Sequence, residues 1–375
     1  MVGDNERTRT QSAVPRRGGS GKGATVAILS TCRKSEGPSV ASLGAMCAPH
    51  IGSTVIRFAG GAVAGTTRGD TVSKASVTAI VPTHNRPELM KRAVQSIVDQ
   101  GYDGVVEIIV VFDACEPVLP AVTLPDNRTM RALVNGRSRG LAGGRNTGIE
   151  AASHDFVAFL DDDDYWLPTK LDEQMAAFEQ NPDSILVGTA MVVDDGVRSH
   201  ERLLPSASVT HRDLLHDRLA GLHSSSFVFR KGAFSGRLGL VDESLPRSYG
   251  EDYDLLLRTA AITPIVVVNQ PLVSVTWQGQ SFFFGQWAVY AEALQYLLTK
   301  HPEFNSSRTA IGRIEAQIAF ALVASGKRRE GARWAQRSLG HDPRQIKAHL
   351  ALAMALRLVS AAQVTRVAQR FGKGL

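Results

Sequence analysis

Residues 156–170 read FVAFLDDDDYWLPTK. Five apolar residues run straight into four consecutive carboxylates, and two aromatics and a proline follow. A short apolar run bounded by polar residues suits a strand buried on both faces of a parallel sheet. Adjacent like charges repel, and a structural surface has little use for four in a row. A divalent cation or a phosphate-bearing ligand gives the carboxylates a reason, and the end of a buried strand gives them a place.

The flanking sequence repeats the pattern. Residues 76–82, SVTAIVP, read as another buried strand. Pro87 follows at a first helical position, with Leu89, Ala93, Val94, Ile97 and Val98 at helical spacing. VVEIIVVFD, residues 105–113, is a second strand ending in Asp113, and TMRALVN, residues 129–135, is a third. Arg145 to Ala152 reads as a helix before FVAFL, and Pro168 to Phe178 as another after the acidic run. ILVGTAMVV and SSSFVFR add strands, a helix starts near Glu251, and helices broken at Pro302, Gly326 and Pro343 fill the chain from Gln286. This alternation predicts an α/β fold, a Rossmann-like and mostly parallel sheet with helices on both faces, plus a C-terminal all-helical extension. Ligands of open α/β sheets bind outside the carboxyl ends of the strands. Thr83, Asp113 and Asp161 to Asp164 fall at three such ends, so they are expected to line one crevice.

Composition narrows the classes. The 375 residues are 43% hydrophobic and 21% charged, as in an ordinary globular protein. Cys32, Cys47 and Cys115 form no CxxC pair, which argues against a disulfide framework or a zinc site and fits a reducing cytoplasm. Residues 300–375 hold 14 Lys/Arg against 4 Asp/Glu, so the basic excess lies outside the expected crevice and nucleic acid is not the expected substrate. That excess suits either a solvated helical surface or an anionic partner, such as the inner face of a membrane. No apolar run approaches the roughly 18 to 20 residues that span a bilayer. GGSGKGAT, residues 18–25, fails as a phosphate loop, because Arg16 stands where the first glycine belongs and Gly23 where Ser or Thr is needed. Residues 1–74 show no sustained periodicity and read as a disordered leader or as sequence upstream of the true start.

VTAIVPTHNRPELMKRAVQSIVDQ, IIVVFDA, GGRNTGIEAA, FLDDDDYWLPTKL and GEDYDLLLR occur in one order and spacing, and over residues 76–260 the chain resembles the family-2 glycosyltransferases. The resemblance implies a GT-A-type catalytic domain over residues 75–284, followed by a helical region over 285–375. It also implies inverting transfer of a sugar from a nucleotide-sugar donor to a glycan, lipid-linked or other cell-envelope acceptor. A diphosphate leaving group needs charge neutralisation, which Mn²⁺ or Mg²⁺ on carboxylates provides. The family pattern places its DxD at Asp161-Asp162-Asp163, with Asp163 the first metal candidate. Asp161 and Asp162 would reach the donor ribose or help hold the metal, and Asp164 would cap the next turn or orient its neighbours.

Pro82, Thr83 and Asp113 match donor-base and ribose positions, although Ala114 and Cys115 depart from the usual DDGS. Arg145 and Asn146 match the ARNxG donor motif. Asp252 matches the catalytic base of the ED pair, with Glu251 as its orienter. Trp277, in TWQGQSFFF, is either a lid or stacking residue or part of a core. GKRREGARWAQRSLGHDP echoes one tetratricopeptide hairpin, with Arg329, Arg333 and Arg337 on one helix face. Two other classes compete: a nucleotidyltransferase, which lacks its glycine-rich basic loop here, and a non-catalytic interaction protein built on the C-terminal helices. An aspartyl-phosphatase reading meets Tyr165 where Thr or Val belongs.

Overall fold

The computed structural model describes residues 74–277 and 286–370. The leader read over residues 1–74 lies outside them except for Lys74, and so does the segment that follows Trp277.

The first half alternates as expected: β1 (Val77–Thr83), α1 (Pro87–Val98), β2 (Val106–Phe112), β3 (Arg128–Val134), α2 (Leu141–Ala151) and β4 (Phe156–Phe159). Then come β5 (Tyr165–Trp166), α3 (Lys170–Gln180), β6 (Leu186–Asp194), β7 (Ser199–Arg202), β8 (Ser208–Val209) and α4 (His211–His216). β9 (Val228–Arg230), α5 (Gly232–Ser235), α6 (Glu251–Ala260) and β10 (Ile265–Thr276) complete the sheet layer. One ten-stranded sheet results, in the order β3-β2-β1-β4-β9-β6-β10-β5, with β7 on β6 and β8 on β10. The long ladders β1/β2, β2/β3 and β6/β10 are parallel, as is β1/β4. The antiparallel pairings belong to the short strands β5, β7, β8 and β9. The mostly parallel GT-A-type sheet is therefore present, trimmed by short antiparallel additions.

Both faces of the sheet are covered, and the pleat shows how. Val77, Ala79 and Val81 of β1 point into a core shared with Met90, Ala93, Val94 and Ile97 of α1 and with Leu171, Met175 and Phe178 of α3. Ile80, one residue out of phase, joins the opposite core with Ala142 and Ile149 of α2 and Leu255 to Leu257 of α6. A period of two on a strand flanked by periods near 3.6 is what this two-sided burial requires.

The glycines of GGRNTGI set how closely α2 lies on β1. A Cβ at Gly144 would come 3.2 Å from Pro82, and one at Gly148 only 2.4 Å from Ile80. These positions are four apart and share one helix face. Gly148→Ala is expected to lower stability by about 1–3 kcal/mol, because overpacking a tight core forces side chains off their rotamers. An unchanged thermal unfolding midpoint would show instead that Ile80 has room to move.

Helices follow from Gln286: α7 (Trp287–Lys300), α8 (Arg308–Ala324), α9 (Arg328–His341), α10 (Ile346–Ala355) and α11 (Ala361–Arg370). Leu294 and Leu297 of α7 and Ile311, Ile314 and Ile318 of α8 enter the same core as α6. α8, α9 and α10 also close a smaller core around Phe320, Ala335, Ala348 and Met354. Gly331 lies where a Cβ would be 2.5 Å from Val323 and 2.8 Å from the Ala319 carbonyl, so the α8/α9 crossing needs a glycine there. Among the described residues no helix is long and apolar enough to cross a membrane.

Candidate active site

The carboxyl ends of β1, β2 and β4 meet as the sequence implies. Thr83 donates its hydroxyl to Asp162 at 2.8 Å, and the Asp113 backbone N–H donates to the Thr83 carbonyl at 2.9 Å. The Asp113 carboxylate accepts from Asn135 at 2.8 Å and from the Gly140 N–H at 2.9 Å, which fixes the loop entering α2. Gly140 itself has φ +114°, a conformation open mainly to glycine.

From α2, Arg145 reaches into the centre of the site. It is 1% exposed, donates to Asp161 at 2.6 Å and to Glu251, and lies over the Phe159 ring. The guanidinium that the resemblance assigns to the donor is thus shared between two carboxylates from distant parts of the chain. Burial alone would lower its pKa, but Asp161 and Glu251 outweigh that and raise it. Asn146, its neighbour, is fully buried and makes its amide contacts with Val241 and Glu243. It pins the loop that leads toward α6.

The four acids adopt four different environments. Asp161 accepts from Arg145 and from the Ser224 hydroxyl at 3.0 Å. Asp162 takes Thr83 and Arg86, and burial pushes its carboxyl up to about 6. Asp163 accepts from Arg86 at 2.9 Å, and its side chain is 38% exposed. Asp164 is buried, accepting from the Ser225 hydroxyl at 2.6 Å and the Thr276 N–H at 3.0 Å. Burial, then Asp161 and Asp163, raise Asp164 well above the usual carboxylate range.

Crowded acids of this kind suit a divalent cation, because oxygen donors are what Mg²⁺ and Mn²⁺ prefer. Asp161, Asp164 and His223 offer ligand atoms within 4.8 Å of one another. Asp163 faces Arg86 on the more open side of the same loop.

Glu251 and Asp252 open α6. The turn before them is held in left-handed backbone at Arg247 (φ 51°), Ser248 (φ 57°) and Gly250 (φ 75°), a costly run that is common where side chains must be aimed. Burial raises Glu251 to about 7 against the opposing pull of Arg145. Asp252 accepts from the Tyr253 N–H at 2.7 Å and forms an ion pair with Arg218. Asp254 faces elsewhere, as its helix position requires. It is buried among Arg258, Lys300 and His301, each 2.8 Å away.

Sequence reasoning missed Arg86, Arg218, His223 and the serines Ser224 and Ser225. Three serines leading into a β-branched and aromatic run were one available signal, with His223 directly before them, and Arg86 stands between Thr83 and Pro87 inside the first motif; Arg218 is a single cation far from any motif. Trp277, 39% exposed, packs under the Arg202 guanidinium.

The chain is similar to known glycosyltransferases. A family model described as Glycosyl transferase family 2 matches residues 78–237. WfgD of Escherichia coli, a UDP-Glc:alpha-D-GlcNAc-diphosphoundecaprenol beta-1,3-glucosyltransferase, is 26% identical over 52% of the chain and 73% of its own length. The GalNAc(5)-diNAcBac-PP-undecaprenol beta-1,3-glucosyltransferase of Campylobacter jejuni is 30% identical over 42% of the chain and 52% of its length. The succinoglycan biosynthesis protein ExoO of Rhizobium meliloti is 31% identical over 49% of the chain and 56% of its length, so the chain spans about half of these last two relatives. Among solved structures, S. aureus TarS with UDP-GlcNAc is 17% identical with a TM-score of 0.46, over 80% of the chain and 92% of that structure.

Proposed function

We propose that this chain, which belongs to glycosyl transferase family 2 through residues 78–237, is an inverting glycosyltransferase acting on a nucleotide-sugar donor and a lipid-linked or polysaccharide acceptor of the cell envelope. One observation carries the reading: Arg145 joins the acids at the end of β4 to the acid pair opening α6. Donor-side and acceptor-side chemistry are thereby held in one rigid unit.

In this reading Thr83, Asp113, Asp161 and Asp162 line the donor's base and ribose. Pro82 shapes that rim by packing on α2. Arg145 and Asn146 act on the donor side by fixing the loops around it. Asp161 and Asp163 would hold a divalent cation, which when bound neutralises charge on the departing diphosphate. Asp252 takes the proton of the acceptor hydroxyl as its oxygen bonds to the anomeric carbon, and the nucleoside diphosphate leaves from the opposite face. Glu251 holds its place beside Asp252 through Arg145.

A thermal-shift screen of nucleoside diphosphates with and without Mn²⁺ tests the reading, since a ligand that binds only the native state raises the unfolding midpoint. A cation-dependent rise with one nucleotide supports it, and no response to any of them sinks it.

Peripheral contact with an anionic membrane is part of the same proposal. Arg329 and Arg333 of α9 are exposed, whereas Arg337 lies over Trp334 and pairs with the buried Glu315 at 2.8 Å. Basic residues near an anionic leaflet contribute about 1 kcal/mol each. The Arg329→Gln/Arg333→Gln double variant is therefore expected to bind anionic vesicles less tightly at low salt, and equal binding would return α9 to an ordinary solvated face.

A further inference from the structure

The carboxylate placed as base is engaged as it stands. Asp252 has one oxygen on the Tyr253 N–H at 2.7 Å and the other on Arg218. A carboxylate paired to a guanidinium is a poor proton acceptor, because the pair stabilises its charged form. Burial pushes the Asp252 carboxyl up, yet Arg218, His223 and Arg145 together hold it below its ordinary value. Turnover therefore requires that something take Arg218 away.

The position of Arg218 shows what that could be. It follows α4, on a turn where the Asp217 carboxylate accepts from the Leu219 N–H at 3.0 Å. Leu219 is held in left-handed backbone at φ 52°, a strained state for a residue with a side chain. The Arg218 side chain is 35% exposed against 11% for Asp252, so the guanidinium is the more open member of the pair. Among the described residues Asp252 is its only ion-pair partner. Further positive charge lies behind the same turn: Arg313 donates to the Leu215 carbonyl at 3.1 Å and to the Tyr253 hydroxyl at 2.6 Å. A guanidinium offers two parallel donors that match the oxygens of a phosphate.

We propose that Arg218 is the anion-reading residue of the acceptor subsite: a phosphate or diphosphate carried by the acceptor takes its guanidinium and so releases Asp252. The inference rests on Asp252 being the base. It names the acceptor class as one with a phosphate next to the sugar, and it makes the correct acceptor the agent that activates the base. No redox partner is needed. The hydroxyl proton passes to the released Asp252, the acceptor oxygen bonds to the anomeric carbon, and the bond to the nucleoside diphosphate breaks with its electron pair.

Calorimetric titration with farnesyl diphosphate, which carries lipid and diphosphate but no sugar hydroxyl, tests this with and without saturating nucleotide and Mn²⁺. Arg218→Gln should weaken probe binding at least tenfold, and Arg218→Lys should restore part of the loss. Asp252→Asn should tighten binding about tenfold, because the competing carboxylate is gone. Glu303→Gln, which removes a charge beside α4 that does not bind Arg218, should leave affinity unchanged. Inorganic phosphate should bind far more weakly than the probe. The proposal is overturned if Asp252→Asn weakens or does not change binding, if Arg218→Gln binds as the parent does, or if free phosphate binds as well as the probe. A purely structural ion pair would move both partners' variants in the same direction. Loss of nucleotide binding in the parent protein would instead count against the glycosyltransferase reading, and the probe titration without nucleotide keeps the two failures apart.

Discussion

Asp252→Asn is expected to keep nucleotide affinity within about twofold of the parent protein while sugar transfer falls by about 10² to 10⁴-fold, the range a positioned general base supplies. The amide keeps the shape of the carboxylate, and its carbonyl can still accept from the Tyr253 N–H that now contacts Asp252 at 2.7 Å. What it loses is the ability to take a proton. Donor contacts are expected to survive because the donor-side acids lie at the ends of β1, β2 and β4, joined to α6 through Arg145 and Glu251 rather than through Asp252. The measurement is single-turnover transfer beside equilibrium nucleotide binding. A loss confined to nucleotide binding, or turnover within a few fold of the parent, would remove Asp252 from the role.

Much of this site is legible from the sequence, for physical reasons. Strand ends in a parallel sheet carry their polar residues at fixed places, so Thr83, Asp113 and the acidic run could be grouped before any coordinates. The glycines of GGRNTGI were read only as part of the donor motif, although close helix-to-sheet packing leaves little room for a side chain at Gly144 and Gly148. The short strands β5, β7 and β8 were not legible, since two to four residues carry too little periodicity to register. Nor could Arg218 be found. It is a lone cation in LLHDRLAG, and only the fold brings it across 34 positions to Asp252. Arg145 shows the intermediate case. Its motif marked it as functional, but a sequence cannot say whether a guanidinium faces a ligand or is consumed by two protein carboxylates.

The acidic run yields the second large effect, because its four members are not equivalent. Asp163→Asn is expected to abolish the Mn²⁺-dependent part of nucleotide binding, whereas Asp164→Asn is expected mainly to lower stability. Asp164 is buried with both oxygens on fixed protein donors, the Ser225 hydroxyl and the Thr276 N–H, so it ties the acidic loop to the end of β10. Replacing one partner of such a buried network leaves polar groups unpaired, at a cost of about 1–3 kcal/mol each. Asp163 is held differently. Its carboxylate accepts from Arg86, which is 34% exposed and also reaches Asp162, and the Asp163 side chain is itself 38% exposed on the open side of the loop. A cation that shares its shell with donor phosphates has to be reached from that side, since such ions bind through one or two carboxylates plus phosphates and water. Asp161, between the two, would contribute to either arrangement. Nucleotide titrations with and without Mn²⁺, run beside thermal unfolding of both variants, separate the roles. If Asp164→Asn loses the Mn²⁺ dependence and Asp163→Asn keeps it, the cation belongs to Asp161, Asp164 and His223, the set whose ligand atoms lie within 4.8 Å, and Arg86 holds Asp163 as a permanent pair.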